Sequence, residues 1–418
     1  MIEGILSVRG ALGTLLTALY CALTACVFAR YFRSALSDVE ETHRVGRAPL
    51  KGVAIEVAAS YALSRALMLL VLMVCYACGN GFLSGFFAGL PRLLHRWDAG
   101  QYLPLIEHGY LAEGEEALRI VFFPLYPMLC RAVALATGWG ANAVALLVSN
   151  LSLLGSGALL WRLAENDGGA VYARRCLWSF MFFPATYFFS MAFSESLFLL
   201  LSLGAVICAR RRRFVLAVAL GALCANTRLL GLAIAVPIYW ELLRVHGRRG
   251  KREIALCALQ TLPVALGLAA YLALNWRLFN DPFRFMTFER ENWQQRFGTL
   301  ANTFQYSLNN ALTYGKLSYR CGTWIPQLVA MLGVPALVAL QVRRRRAGDL
   351  AYALIYHYVA FAPTWLLSGL RYAAGGYALY LMLGALPKGK RSFLTLMILE
   401  AALLAFMTVM GLWIGVVL

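Results

Sequence analysis

Long apolar runs separated by short polar clusters set the pattern of this chain. Runs near residues 11–29, 54–78, 142–163, 254–275, 322–342, 350–370 and 392–417 each approach or exceed the roughly 20 residues that a helix needs to cross a bilayer. Two longer runs are interrupted. Residues 176–209 break at Pro184 and at Ser194-Glu195-Ser196, and residues 214–243 break at Asn226-Thr227-Arg228. Each reads as two short helices meeting near one membrane face. With the short run 372–386, the pattern predicts about twelve crossings. Pro124 and Pro127 break the start of residues 120–138, so this stretch is expected to lie along the membrane surface, or to dip in and return. Residues 11–29 have the look of a leader, but no small-x-small site follows and Arg30 and Arg33 come next; a retained spanning helix is expected.

Composition sharpens this picture. Of 418 residues, 61% are apolar and 14% charged, against roughly 45–50% and about 25% in soluble domains. A soluble enzyme, a disordered chain and a secreted disulfide scaffold are all disfavoured, and an all-α polytopic membrane protein is expected. The formal charge is +18, from 38 basic and 20 acidic residues. Twenty-four of the 38 basic residues fall in six loops (30–51, 162–175, 210–213, 244–252, 343–346 and 388–391), the pattern of cytoplasmic loops under the positive-inside rule. No nucleic-acid partner is expected, because no aromatic-plus-basic strand or helix accompanies the clusters. Placing all six loops inside sends both termini and the segments 79–141 and 276–321 to the outer side.

Only these two outer segments have room for an active site. Asp98 stands out in His95-Arg96-Trp97-Asp98-Ala99-Gly100-Gln101-Tyr102, followed by Glu107-His108-Gly109-Tyr110. A carboxylate between Trp97 and Tyr102 just beyond a spanning helix suits a base acting on a lipid-tethered substrate. The competing reading is an interfacial aromatic belt with a helix-capping Asp. Glu195, between two short apolar helices, is expensive to bury unless it lines a cavity or has a partner. Arg228 occupies the matching turn of the next pair. The two either pair structurally, or Arg228 holds a phosphate with Glu195 as its orienter. Arg371-Tyr372, between two late spans, reads as a second phosphate-binding position or as a snorkelling Arg. Arg65, inside a spanning helix, reads as a helix-to-helix tie. Segment 276–320, with Asp281, Phe285, Glu289, Trp293 and Tyr306, reads as a partly helical cap or a plain solvated loop.

Other chemistries leave no mark. The ten cysteines lie nearly all within apolar runs, and Cys75-Tyr76-Ala77-Cys78 lacks the strand–helix context of a redox motif. The five histidines are scattered. There is no Walker A sequence, HExxH, strict DxD or GxSxG. No metal and no cofactor are expected.

The ordered motifs resemble the PIG-V-like family of membrane mannosyltransferases, whose eukaryotic namesake is GPI mannosyltransferase 2. Trp97-Asp98-Ala99-Gly100-Gln101-Tyr102 through Tyr110, then Phe123-Pro124-Leu125-Tyr126-Pro127, resembles its first-loop signature. Phe183-Pro184 with Tyr187, Ser194-Glu195-Ser196-Leu197-Phe198, Thr227-Arg228 with Gly231, Asp281-Pro282 with Phe285 and Trp293, and Arg371-Tyr372 follow in order. The resemblance spans residues 54–386. Residues 1–53, a first helix and loop, look like an addition to a membrane domain of 54–418. The resemblance implies a GT-C fold and transfer of mannose from a polyprenyl-phosphate donor to a lipid-linked or glycan acceptor. The site would lie on the non-cytoplasmic face of a bacterial cytoplasmic membrane, or of the endoplasmic reticulum if the source is eukaryotic. It implies Asp98 as the base and Arg371 as a donor-phosphate ligand. With Trp97, Tyr102, Glu107, His108, Glu195, Arg228 and Tyr372 these make the expected site. The competing functions are a lipid or sugar transporter (a flippase) and a non-catalytic scaffold.

Overall fold

A computed structural model describes residues 2–37, 48–80, 83–247, 250–364 and 366–416, without the side chains of 2–9. Of the expected basic loops, Arg44, Arg47, Arg248 and Arg249 lie outside the described residues. The described chain is helical, with one isolated bridge between Phe297 and Pro363. In order, the helices are α1 (Ile2–Leu36), α2 (Leu50–Asn80), α3 (Phe86–Leu94), α4 (Ala99–His108), α5 (Leu125–Thr137), α6 (Ala141–Phe182) and α7 (Glu195–Arg210). Then come α8 (Phe214–Thr227), α9 (Ala235–His246), α10 (Lys251–Thr261), α11 (Leu266–Phe279), α12 (Arg284–Trp293) and α13 (Leu300–Thr313). The short α14 (Leu317–Tyr319) leads into α15 (Ile325–Gln341), followed by α16 (Ala347–Phe361), α17 (Gly369–Ala374), α18 (Tyr377–Gly384) and α19 (Lys390–Thr408).

Among the described residues, seven helical stretches are long and apolar enough to cross a membrane: Gly10–Leu36, Leu50–Asn80, Ala141–Phe182, Leu229–His246, Lys251–Phe279, Leu317–Gln341 and Lys390–Ile414. The pair Glu115–Val121 and α5, bent by 115°, would make an eighth if it were one span. This is a smaller number than twelve, for a reason of length. Helices α7, α8 and α16 have 16, 14 and 15 residues, which at about 1.5 Å per residue reach roughly 21–24 Å, short of the ~30 Å hydrocarbon core. The expected span 350–370 also ends early. Pro363 has no N–H with which to continue the helical hydrogen bonds, and α16 stops at Phe361, with Ala362 still in the helical region (φ −73°, ψ −28°). Residues 141–182 instead run through as one helical stretch of 42 residues, with a break at Gly169 (φ 80°, ψ 178°) where a loop was expected.

Burial is arranged as a bilayer requires. Helix α7 lies at the centre, with most of its residues buried among α6, α8, α9 and α18. Large apolar side chains point outward on the flanking helices, among them Leu63 and Leu70 on α2, Leu259 on α10, Val329 on α15 and Ile398 on α19. A water-soluble surface does not carry apolar area on this scale. The chain is a multi-pass helical membrane protein.

The ends of α7 differ in chemistry. At its C-terminal end Arg210 pairs with Asp167 (2.7 Å) and Asp349 (2.6 Å), and nearby Arg346 pairs with Glu241 (2.6 Å). Tyr377 adds a hydrogen bond to Asp349 Oδ1 (2.8 Å). These charges pin α6, α7, α9, α16 and α18 together, and they lie one helix length from Glu195 at the start of α7. Nearer that other end Arg65 ties α2 to the break after α6. It donates to Thr186 O (2.9 Å), Ser190 Oγ (2.6 Å) and Thr186 Oγ1 (3.1 Å), as a helix-to-helix tie should.

Candidate active site

Four breaks in the helical pattern converge at the Glu195 end of α7. The first precedes α4. Trp97 has φ 54°, a left-handed backbone that is uncommon for a bulky residue and costs about 1–3 kcal/mol; its ring packs on Phe188, 5.6 Å between centroids. This turn sets Asp98 at the head of α4. Asp98 makes no capping hydrogen bond there, so it is not serving as a helix cap. Its Oδ2 accepts from Arg371 Nη2 at 2.6 Å instead.

The second break runs from Phe183 to Ser194, where Pro184 ends the helical run. Ser196 Oγ donates to Phe189 O (2.6 Å) and Ser149 Oγ to Phe193 O (3.1 Å), which satisfy the turn's backbone inside the protein. Glu195 begins α7, so its carboxylate sits where a helix N-terminus favours negative charge. The third break follows α8. Arg228 is extended (φ −159°), and Gly231 returns an N–H to Arg228 O at 2.9 Å. A Cβ on Gly231 would lie 2.3 Å from Cys224 O, so only glycine fits this approach. The fourth break follows α16 and leads into α17 and Arg371. It is stitched to residues 296–298 by Gly298 N–H to Ala362 O and Thr364 N–H to Arg296 O, both 2.9 Å.

The charges form one chain. Glu195 Oε1 accepts from Arg228 Nη1 at 2.5 Å and lies 2.7 Å from Arg371 Nε. The second contact is a close ion pair whose N–H is not aimed at the oxygen, and both Arg371 Nε and Glu195 Oε2 lack a hydrogen-bond partner. Arg371 is buried against Phe188, Phe193 and Tyr372, with its guanidinium carbon 5.4, 5.0 and 5.4 Å from their ring centres. Arg228 lies 5.1 Å from the Tyr372 ring centre. Tyr102 OH donates to Ser194 Oγ at 3.0 Å, which ties α4 to the Glu195 turn.

A cavity of about 590 Å³ opens beside this chain. Its wall includes Trp97, Asp98, Tyr102, Arg228, Arg371 and Tyr372. Glu195 stands behind that wall, 2% exposed, holding both arginines. The structure thus brings seven of the nine residues of the expected site together. It does not bring Glu107 and His108. Their side chains are 55% and 65% exposed, they lie 3.7 Å from one another, and neither lines the cavity. The reason is helical phase. Glu107 follows Asp98 by nine positions, about half a turn out of register at roughly 100° per residue. The buried face of α4 carries Tyr102, Leu105 and Ile106.

Other cavity residues were not in the expected set. Gln101 accepts from Arg119 Nε at 3.1 Å. Met286, Glu289 and Trp293 on α12, with Arg296 and Phe297 beyond it, form a further wall. Helix α12 is anchored from below. Buried Asn275 on α11 accepts from Phe285 N on α12 (3.1 Å), and buried Tyr271 fixes α11 in turn by donating to Ile120 O (2.6 Å). Burial pushes the Glu289 carboxyl up to about 7. The signal that could have found this wall is the 286/289/293 spacing, which a helix turns to one side. Segment 276–320 has too weak an apolar pattern to make that helix evident in advance.

Among the described residues no group of three His, Cys, Asp or Glu side chains is placed to hold a metal ion. No protein-family model matches this chain, and no curated protein matches it.

Proposed function

We propose that this protein is a GT-C-type membrane glycosyltransferase that moves a sugar, mannose on the family resemblance, from a polyprenyl-phosphate donor to a lipid-linked or glycan acceptor. The observation that carries the reading is the Asp98–Arg371–Glu195–Arg228 chain, three members of which line the cavity while Glu195 holds both arginines from behind its wall. A lipid-phosphate sugar brings its headgroup to the membrane interface. It requires a groove there, cations for its phosphate and a base for the acceptor. The cavity with Asp98, Arg228 and Arg371 on its wall supports this reading. Its distance from the basic end of α7 supports a site on the non-cytoplasmic face, because basic residues favour the cytoplasmic side.

In the proposed reaction the acceptor hydroxyl gives its proton to Asp98 as its oxygen attacks the anomeric carbon. The bond between that carbon and the phosphate oxygen breaks, and its electron pair leaves with the polyprenyl phosphate. Attack opposite the leaving group inverts the anomeric configuration. The charges balance through Arg371. As Asp98 becomes neutral, the guanidinium is freed from its carboxylate partner while a second negative charge gathers on the phosphate. Arg371 stabilises that charge without new ordering, because Phe188, Phe193, Tyr372 and Glu195 already hold it in place. Arg228 is the second phosphate ligand.

The test is incubation of proteoliposomes containing the purified protein with labelled polyprenyl-phosphate mannose and a membrane lipid extract. The expected result is a labelled acceptor with the wild type and none with Asp98→Asn. Label that crosses the bilayer without changing its carrier would replace this reading with a flippase.

A further inference from the structure

Every charge on the Asp98 wall of the cavity has a partner, whereas Glu289 on α12 has none. Among the described residues its carboxylate makes no ion pair and no hydrogen bond, although it is half-buried and has Arg290 and Arg296 nearby in sequence. Carboxylates are almost never taken fully out of water without a partner, and this one keeps its open side toward the cavity. One turn on, the Trp293 ring also faces the cavity, with Met286 one turn before. Spacings of three and four residues place all three on the same side of α12. Asp98, Tyr372 and Glu289 all line this one cavity, so the two carboxylates face one space.

An unpaired carboxylate beside an open indole matches one class of ligand. A pyranose ring has an apolar C–H face and a rim of hydroxyl donors. Indole supplies a flat apolar surface for the first, and a carboxylate supplies two acceptor oxygens for the second. A plain alcohol or a lipid tail would use neither Glu289 oxygen and would leave it desolvated.

We infer that the Glu289–Trp293 face of α12 is a sugar-binding subsite that holds the headgroup of a glycosylated acceptor in the cavity bearing Asp98. The word acceptor rests on the glycosyl-transfer reading; the binding of a sugar does not. The proposal assigns the choice of acceptor to α12 and the chemistry to α4 and α17. Hydroxyl donors arriving at Glu289 replace the lost water and favour its charged form.

The experiment measures binding of octyl α-mannoside, and of octanol as the sugar-free control, to the full chain in lipid nanodiscs at pH 8. The expected result is tighter binding of the mannoside than of octanol. That preference should weaken about tenfold or more in Glu289→Gln and in Trp293→Ala, be largely kept in Trp293→Phe, and be unchanged in Glu291→Gln, an exposed neighbour outside the cavity. Equal binding of mannoside and octanol to the wild type overturns the inference, as does a wild-type preference in Glu289→Gln. The Gln variant is isosteric, so it decides the matter if Trp293→Ala fails to fold. Failure of the transfer reading appears separately, as mannoside binding without any transfer of labelled sugar.

Discussion

Arg371 Nη2 lies 2.6 Å from Asp98 Oδ2, although 273 positions separate the two residues. The guanidinium is buried and the carboxylate opens to the cavity. The proposed base therefore waits in contact with a cation, and protonation of one frees the other. This relationship makes Asp98 the first residue to test. Asp98→Asn keeps the size and the hydrogen-bonding oxygen but cannot take a proton. Transfer from labelled donor should fall by about 10²–10⁴-fold, while the variant still inserts and purifies. A wild-type rate in that variant would withdraw the assignment.

Arg371→Lys tests the bridging geometry. One ammonium is a point charge on a flexible stem and cannot reproduce a planar fork set between Asp98 and Glu195. The expected loss is about 100-fold in kcat/KM for the donor, read from initial rates at varied donor concentration. Arg371→Ala should do more, because it leaves buried Glu195 with half its compensation; a loss of about 3–5 kcal/mol of stability is expected, seen as poor recovery from membranes. Normal rates with Arg371→Lys would show that the fork is not needed.

Glu289 predicts a pH effect of definite sign. Its carboxyl is raised to about 7 in the folded protein, above the ordinary carboxylate value near 4.3. The folded state therefore holds the proton more tightly than the unfolded state between these values. Stability from this group is fully present below the unfolded value and is lost as pH rises through about 7. Glu289→Gln should melt at a higher temperature than the wild type at pH 8 and at a similar temperature at about pH 4. The same difference between the two proteins at pH 8 and at about pH 4 would contradict it.

Gly231→Ala probes the turn that presents Arg228. The new Cβ would lie 2.3 Å from a backbone oxygen on α8, which no side-chain rotation relieves. A loss of about 1–3 kcal/mol is expected, together with reduced transfer, because the displaced turn carries a proposed phosphate ligand. Thermal melting in detergent and the donor assay read the two effects. Retained melting temperature would show that the turn can open without cost.

Arg65→Met separates support from chemistry. Arg65 touches no cavity residue, but its bonds hold the Thr186–Ser190 turn. Losing hydrogen bonds to a charged donor should lower stability by about 1.5–3 kcal/mol. Transfer by the fraction that remains folded should be closer to normal than in Asp98→Asn. Full thermal stability would mean that the turn is held from elsewhere.

The sequence by itself determined the membrane character, the helical class and the breaks at Pro184, Ser194–Ser196 and Asn226–Arg228. These are local properties: length of an apolar run, a proline's missing N–H, a charge that a lone helix in lipid will not carry. It also marked Asp98, Glu195, Arg228 and Arg371 as residues that needed an explanation. Only the tertiary structure decided their partners. That Asp98 leaves its helix cap for Arg371, and that Glu195 serves two arginines at once, depends on contacts between segments far apart in the chain, which no window of sequence contains. The phase of α4 turned Glu107 and His108 away, and the packing of α12 on α11 brought Glu289 to the cavity wall. Apolar periodicity reports which way a helix faces the core, but the partner of a buried charge is set by whichever helix the fold lays beside it.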